Sequence, residues 1–221
     1  MRYRDRKEAG ERLAQELLRL HLINPVVLAL PRGGVPVAYE VAQAFVAPLD
    51  LVMVRKIGLP SQPELAAGAV VNGTSPEIVV NEEIARHARL SNADIEALAE
   101  TQLDLIRERR RLYLKGRGQI PLKDRIVVIV DDGIATGATM RAALRAVRRQ
   151  APAQIIVAVP VAAPDTLEEI RNEADLVVCP NVPVYLGAIG AYYTIFDQTS
   201  DDEVIRLLNA AAGPRVSEQK E

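Results

Sequence analysis

Residues 126–130 read Ile-Val-Val-Ile-Val, and the polar positions resume at once with Asp131 and Asp132. An unbroken apolar run of this length predicts a strand buried on both faces. Similar short runs predict strands at 26–30, stopped by Pro31 and two glycines, and at 51–54, ending in Arg55 and Lys56. "QIIVAVPV" and "DLVVCP" read the same way. Helical spacing fills the intervals. A first helix covers 6–20, with Leu13, Leu17, Leu18 and Leu20 inward, and a second carries Val37, Ala38, Val41, Ala42 and Phe45. The longest runs over 91–115, opened by a Ser91–Asp94 capping box and buried along Ile95, Leu98, Leu105, Ile106 and Leu112. Its basic end, residues 107–111, reads as a solvated terminus favoured by the helix dipole. Further helices are predicted at 139–149 and over "APDTLEEIRNEA". The tail holds a Gly-rich segment, a short strand and a last helix capped near Thr199 or Ser200.

Strands alternating with helices predict an α/β fold with a mostly parallel central sheet flanked by helices. The apolar runs on either side of "NGTS" predict a hairpin outside that sheet. We expect residues 1–213 to form one such domain, with a small hood from the hairpin and the C-terminal segments, and 214–221 to be a flexible tail. Ligands in such sheets bind beyond the carboxyl ends of strands, near a switch point in strand order. Three loops leave such ends with chemistry: "PRGG", "RKIGLP" and "DDGIATGAT".

Charge and cysteine content narrow the class. Lys and Arg number 27 against 29 Asp and Glu, a net charge of -2, which argues against a dedicated nucleic-acid binder. With Cys179 alone, no intrachain disulfide can form. No apolar run approaches the roughly 20 residues of a membrane span, and the first residues lack a secretory h-region. We therefore expect a cytoplasmic protein with no membrane contact. His21 and His87 lack metal-ligand spacing.

The acid pair and the loop behind it ask for a particular ligand. Ala135, Thr136, Gly137, Ala138 and Thr139 are small and precede a helix, so backbone N–H groups and two hydroxyls can surround an anion. Asp131 and Asp132 would repel that anion in direct contact. Carboxylates accept hydrogen bonds and suit hydroxyls. A ribose 5-phosphate carries both features, with its diol one sugar away from the phosphate. Neither a Walker loop nor a G-x-G-x-x-G fingerprint is present.

"VVIVDDGIATGAT" resembles the phosphoribosyl pyrophosphate (PRPP) motif of the type I phosphoribosyltransferases. "LALPRGGVPVA", "VRKIGLPSQPELAAGAV", "RERRRLY" and "VPVYLGAIGAYYTIFDQTSDDEV" extend the resemblance over most of the chain, toward a bacterial subgroup whose acceptor is unassigned. The resemblance implies that Asp131 and Asp132 bind the ribose hydroxyls and face the cation formed in the reaction. It implies that residues 135 to 139 hold the 5-phosphate and that backbone N–H groups of Arg32, Gly33 and Gly34 hold pyrophosphate, with Arg55 and Lys56 nearby. It implies Mg²⁺ borne by the ligand's own oxygens, an acceptor pocket walled by Tyr192, Tyr193 and Phe196, and a homodimer. In the hood this chain departs from the pattern, with no Trp near Tyr192 and Ile in place of an acid at position 195. The activity implied is transfer of the phosphoribosyl group from PRPP to a small nitrogenous acceptor. A non-catalytic PRPP-sensing regulator on the same fold is the alternative.

Overall fold

A computed structural model of the chain describes residues 1–59, 62–72 and 77–212, with the backbone alone at 62–66 and 77. The middle of the expected turn at 72–75 and the expected tail at 214–221 lie outside the described residues.

Helix α1 (Arg6–Leu18) leads to strand β1 (Val26–Ala29), helix α2 (Gly34–Phe45) and strand β2 (Leu49–Leu51). Strands β3 (Val54–Leu59), β4 (Gln62–Val71) and β5 (Glu77–Val80) follow, then helices α3 (Glu82–His87) and α4 (Asn92–Leu114). The rest alternates: β6 (Ile126–Val130), α5 (Ala138–Arg148), β7 (Gln154–Ala158), α6 (Pro164–Glu173), β8 (Leu176–Val178), a 3₁₀ turn at Ile189–Tyr192 and α7 (Asp201–Ala211). Strands β2-β1-β6-β7-β8 form a parallel sheet in that order, and β3-β4-β5 form a separate antiparallel sheet. This is the expected α/β fold, with the hairpin outside the main sheet.

The apolar runs are buried on both sides because successive side chains point to opposite faces. Val27, Ala29, Val128 and Val130 pack with α1, α2, α4 and α7, whereas Val26, Leu28, Val127 and Ile129 pack with α5 and α6. Each such side chain contributes roughly 1.5–3 kcal/mol on burial. Arg141 ties α5 to α6 through Glu169 at 2.8 Å and Glu173 at 2.6 Å. Among the described residues, no helix is long and apolar enough to cross a membrane.

Several boundaries differ from the sequence reading. Leu18 and Leu20 are exposed, because the buried stripe of α1 is Ala9, Gly10, Leu13, Ala14 and Leu17 and the helix ends at Leu18. In α4 the Ser91 capping box is present, but Leu105 and Leu112 are exposed. The inward stripe is Ile95, Ala99, Leu103, Ile106 and Tyr113, and Arg110 falls on the same helical spacing. Arg110 is accordingly not a solvated end. Its Nη2 meets the Asp50 carboxylate at 3.0 Å, and its Nη1 donates to the Leu51 carbonyl at 3.3 Å. The strand expected at 51–54 is two elements: β2 stops at Leu51, and Val54 pairs with Val71 in the other sheet. The expected tail strand is absent among the described residues. Tyr193 instead makes an isolated bridge with Tyr3, where backbone hydrogen bonds join residues 3–4 to 192–195. Short helix α3, capped by Asn81, was not anticipated.

Candidate functional site

Strand order reverses between β1 and β6. From β1 the chain proceeds to β2 on one side, and from β6 to β7 and β8 on the other. The loops leaving the carboxyl ends of these two neighbours are residues 31–34 and 131–137, so they meet at the switch point. The first five residues of "RKIGLP" are not a third such loop, because they belong to β3.

The two loops are in intimate contact. A Cβ built on Gly33 would lie 2.1 Å from Asp132 Oδ2. One on Gly34 would lie 2.8 Å from the Val130 carbonyl oxygen and 2.9 Å from Asp131 Cα. Both positions therefore need glycine for close approach rather than for a special dihedral. The Pro31–Arg32 peptide is cis. Of the three expected pyrophosphate donors, Gly34 already donates its N–H to the Leu30 carbonyl at 3.0 Å. The Arg32 and Gly33 N–H groups carry no hydrogen bond among the described residues. The Arg32 guanidinium is half-buried and sits 3.4 Å from Asp201, which also accepts from the Tyr113 hydroxyl at 2.6 Å.

Asp131 and Asp132 are held differently. Asp131 Oδ1 accepts the Asp132 N–H at 2.8 Å. Burial, and then the neighbouring Asp132 carboxylate, pushes the Asp131 carboxyl well above its ordinary range. Asp132 is fixed at two further points: Arg6 Nε donates to Oδ2 at 2.8 Å, and the Tyr193 hydroxyl donates to its carbonyl at 2.6 Å. Beyond the acids, Ala135, Thr136, Ala138 and Thr139 are exposed at the start of α5, where Gly137 adopts φ +73°. A side chain there would be strained and would meet Thr166 Cγ2 at 2.6 Å. Thr166 also donates to the Ala135 carbonyl at 2.7 Å, which ties the loop to α6.

Helix ends mark the same place. The first turns of α1, α3, α4 and α7 are capped by Asp5, Asn81, Ser91 and Ser200. Those of α2, α5 and α6 have no side-chain cap, and of these α2 and α5 open at the two loops while α6 begins with Pro164. Their first-turn N–H donors and positive dipole ends favour anions.

The remaining expected residues are placed otherwise. Arg55 donates to Gln102 on α4 at 3.0 Å. Lys56 lines a cavity of about 540 Å³ between the three-stranded sheet, α3 and α5, which Thr139 also lines. Neither stands at the end of a central strand, because both belong to the separate sheet. The three expected aromatic residues differ in exposure. Tyr193 is buried at 1% exposure, with burial and Asp132 raising its hydroxyl pKa. Phe196 stacks on Tyr193 at 4.9 Å and carries the Arg6 guanidinium 4.0 Å over its ring. Tyr192, half-buried, donates to the Tyr185 carbonyl at 3.0 Å. Burial raises the Cys179 thiol to about 11, which makes it a poor nucleophile.

Sequence reasoning missed Arg6, Tyr113 and Asp201. Arg6 is 126 residues from its partner Asp132, and no local pattern announces such a pairing.

The Asp131 environment has a consequence for stability. A carboxyl whose pKa is raised on folding contributes stability that is complete below its ordinary value near 3.8 and lost as pH rises through the folded value. Asp131→Asn keeps an acceptor for the Asp132 N–H and removes that loss. The variant should melt above wild type at pH 7 and match it near pH 3.5, measured by calorimetric melts across pH. Equal melting temperatures at pH 7 would contradict the assignment.

The family model "Phosphoribosyl transferase domain" matches residues 3–194. Two Mycobacterium tuberculosis proteins, named "Putative phosphoribosyl transferase Rv0571c" and "Putative phosphoribosyl transferase MT0597", are each 46% identical to this chain over 207 residues. The matches cover 94% of this chain and 46% of each relative, so the chain spans about half the length of the curated relatives it matches. The crystal structure of TT1426 from Thermus thermophilus is 45% identical, with a TM-score of 0.84 over 96% of this chain and 100% of that one.

Proposed function

This chain belongs to the phosphoribosyl transferase family, and on that premise we propose that it transfers the 5-phosphoribosyl group of PRPP to a ring nitrogen of a small base, releasing pyrophosphate. The observation that carries the reading is the meeting of the two loops, with the Gly33 Cβ direction pointing straight at the Asp132 carboxylate. A phosphate at the uncapped start of α5 places the ribose over the acid pair. The pyrophosphate then lies on the Arg32 and Gly33 N–H groups and the open end of α2. Lys56, which lines the same cavity as Thr139, adds positive charge toward the phosphate end. We take residues 1–213 as one unit in this reading.

The chemistry follows from these placements. The bond from the anomeric carbon to pyrophosphate oxygen breaks as the bond to acceptor nitrogen forms. Positive charge develops on the ribose, opposite Asp131 and Asp132. Negative charge grows on the departing pyrophosphate, where the Arg32 guanidinium and the two N–H groups face it. Loss of one such preorganised donor typically costs about 3–4 kcal/mol of transition-state stabilisation. Among the described residues, no cluster of three or more His, Cys, Asp or Glu could hold a metal ion. A magnesium ion, as the family resemblance implies, would be held by oxygens of the ligand itself. Such an ion, when bound, supplies charge neutralisation on the leaving group.

The test is pyrophosphate release from PRPP and Mg²⁺ across purines, pyrimidines and pyridines. Turnover with at least one base is expected. PRPP binding with no turnover across the panel would identify a regulator instead.

A further inference from the structure

The motif residues leave one partner of the acid pair without a role. Arg6, the first residue of α1, reaches Asp132 by Nε at 2.8 Å, donates from Nη1 to the Asp197 carbonyl at 2.6 Å, and lies over Phe196. Its side chain and that of Asp132 are each only 13% exposed. The start of α1 is itself anchored. Asp5 accepts the Glu8 N–H at 2.8 Å, and the Thr194 and Ile195 N–H groups donate to the Tyr3 and Arg4 carbonyls. Arg6 is thus a fixed strut between α1, the second acid and the 193–197 segment.

Stability alone does not account for such a pair. Taking two charges out of water costs about as much as their attraction returns, and packed apolar residues often serve equally well. What the pair does provide is orientation. A carboxylate has about four lone-pair sites, and Arg6 takes one. The Asp197 carbonyl and the Phe196 ring hold the guanidinium in place, so the carboxylate it grips is held in one orientation.

We propose that Arg6 is a positioning residue for the ribose, acting through Asp132. It aims the remaining Asp132 lone pairs at the sugar hydroxyls. This rests on the PRPP reading above. It extends the site to a residue outside both loops.

The test is a double-mutant cycle on the full chain, with Arg6→Gln, Asp132→Asn and the combined variant titrated calorimetrically with Mg-PRPP. Inorganic pyrophosphate is the control, because it has no diol to meet Asp132. Arg6→Gln should weaken PRPP binding at least about tenfold while pyrophosphate affinity stays within about twofold. In the Asp132→Asn background the same change should cost less than about twofold. Arg6→Lys, which keeps the charge but cannot span Asp132 and Asp197 together, should recover part of the loss and stands in if Arg6→Gln does not fold. Equal PRPP affinity in wild type and Arg6→Gln, additive losses, or a parallel loss of pyrophosphate binding would each overturn the inference. A wild type that binds no PRPP would overturn the site reading itself, and Arg6's role with it.

Discussion

Gly33→Ala is expected to weaken Mg-PRPP binding by about a hundredfold or more while leaving the protein folded. The new Cβ would sit 2.1 Å from Asp132 Oδ2 and 2.7 Å from its Cγ. Asp132 has little freedom to yield. Its N–H is bound to Asp131, its carbonyl accepts from Tyr193 and its carboxylate from Arg6. The least costly response is for the carboxylate to swing out of the site, away from the sugar. Overpacking of this kind costs typically about 1–3 kcal/mol of stability, which a chemical denaturation curve would read. Gly34→Ala should behave differently, because its obstacles are the Val130 carbonyl and Asp131 Cα of the strand end. Backbone cannot step aside as a side chain does, so that variant should lose more stability than Gly33→Ala. Unchanged PRPP affinity in Gly33→Ala would show that the two loops do not share a ligand.

Arg110→Ala is expected to destabilise the fold by about 3–5 kcal/mol. Asp50 is 5% exposed. Its carboxylate also accepts the Leu51 N–H at 2.7 Å and the Ile120 N–H at 3.2 Å. Removing the guanidinium leaves a buried charge with only neutral partners, and frees the Leu51 carbonyl from one of its donors. The pair links β2, α4 and the 119–122 segment. Asp50→Asn combined with Arg110→Ala should cost less than the sum of the single changes, since the charge left behind is gone. A loss below about 1 kcal/mol for Arg110→Ala, the range of surface pairs, would contradict the structural role given to it.

These two cases show which parts of the molecule the sequence displays. The Ile126–Val130 strand, the acid pair, the small-residue loop and the start of α5 are contiguous, so pattern and chemistry are read together. The Ser91 cap and Pro164 at the first turn of α6 are equally local. Arg110 was misread because charge suggested solvent, although its spacing from Ile106 and Tyr113 puts it on the buried face. Arg6 is beyond any local rule, since its partners are Asp132 and Asp197. The contacts of the aromatic tail are beyond local rules for the same reason. The resemblance implies a pocket role for Tyr193 and Phe196, but their neighbours, Tyr3 and Arg6, come from the opposite end of the chain. Arg55 and Lys56 follow an apolar run that reads as continuous, yet the chain leaves the main sheet after Leu51. Periodicity reports which face is buried. It does not report which distant element covers that face.

The most direct test of the site is a calorimetric titration of Mg-PRPP into wild type and into the Asp131→Asn/Asp132→Asn variant. Saturable binding by wild type is expected, with a loss of about a hundredfold or more in a variant that melts cooperatively. Equal affinity in the two proteins, or no binding by wild type, would contradict the assignment of the loops at β1 and β6 to PRPP.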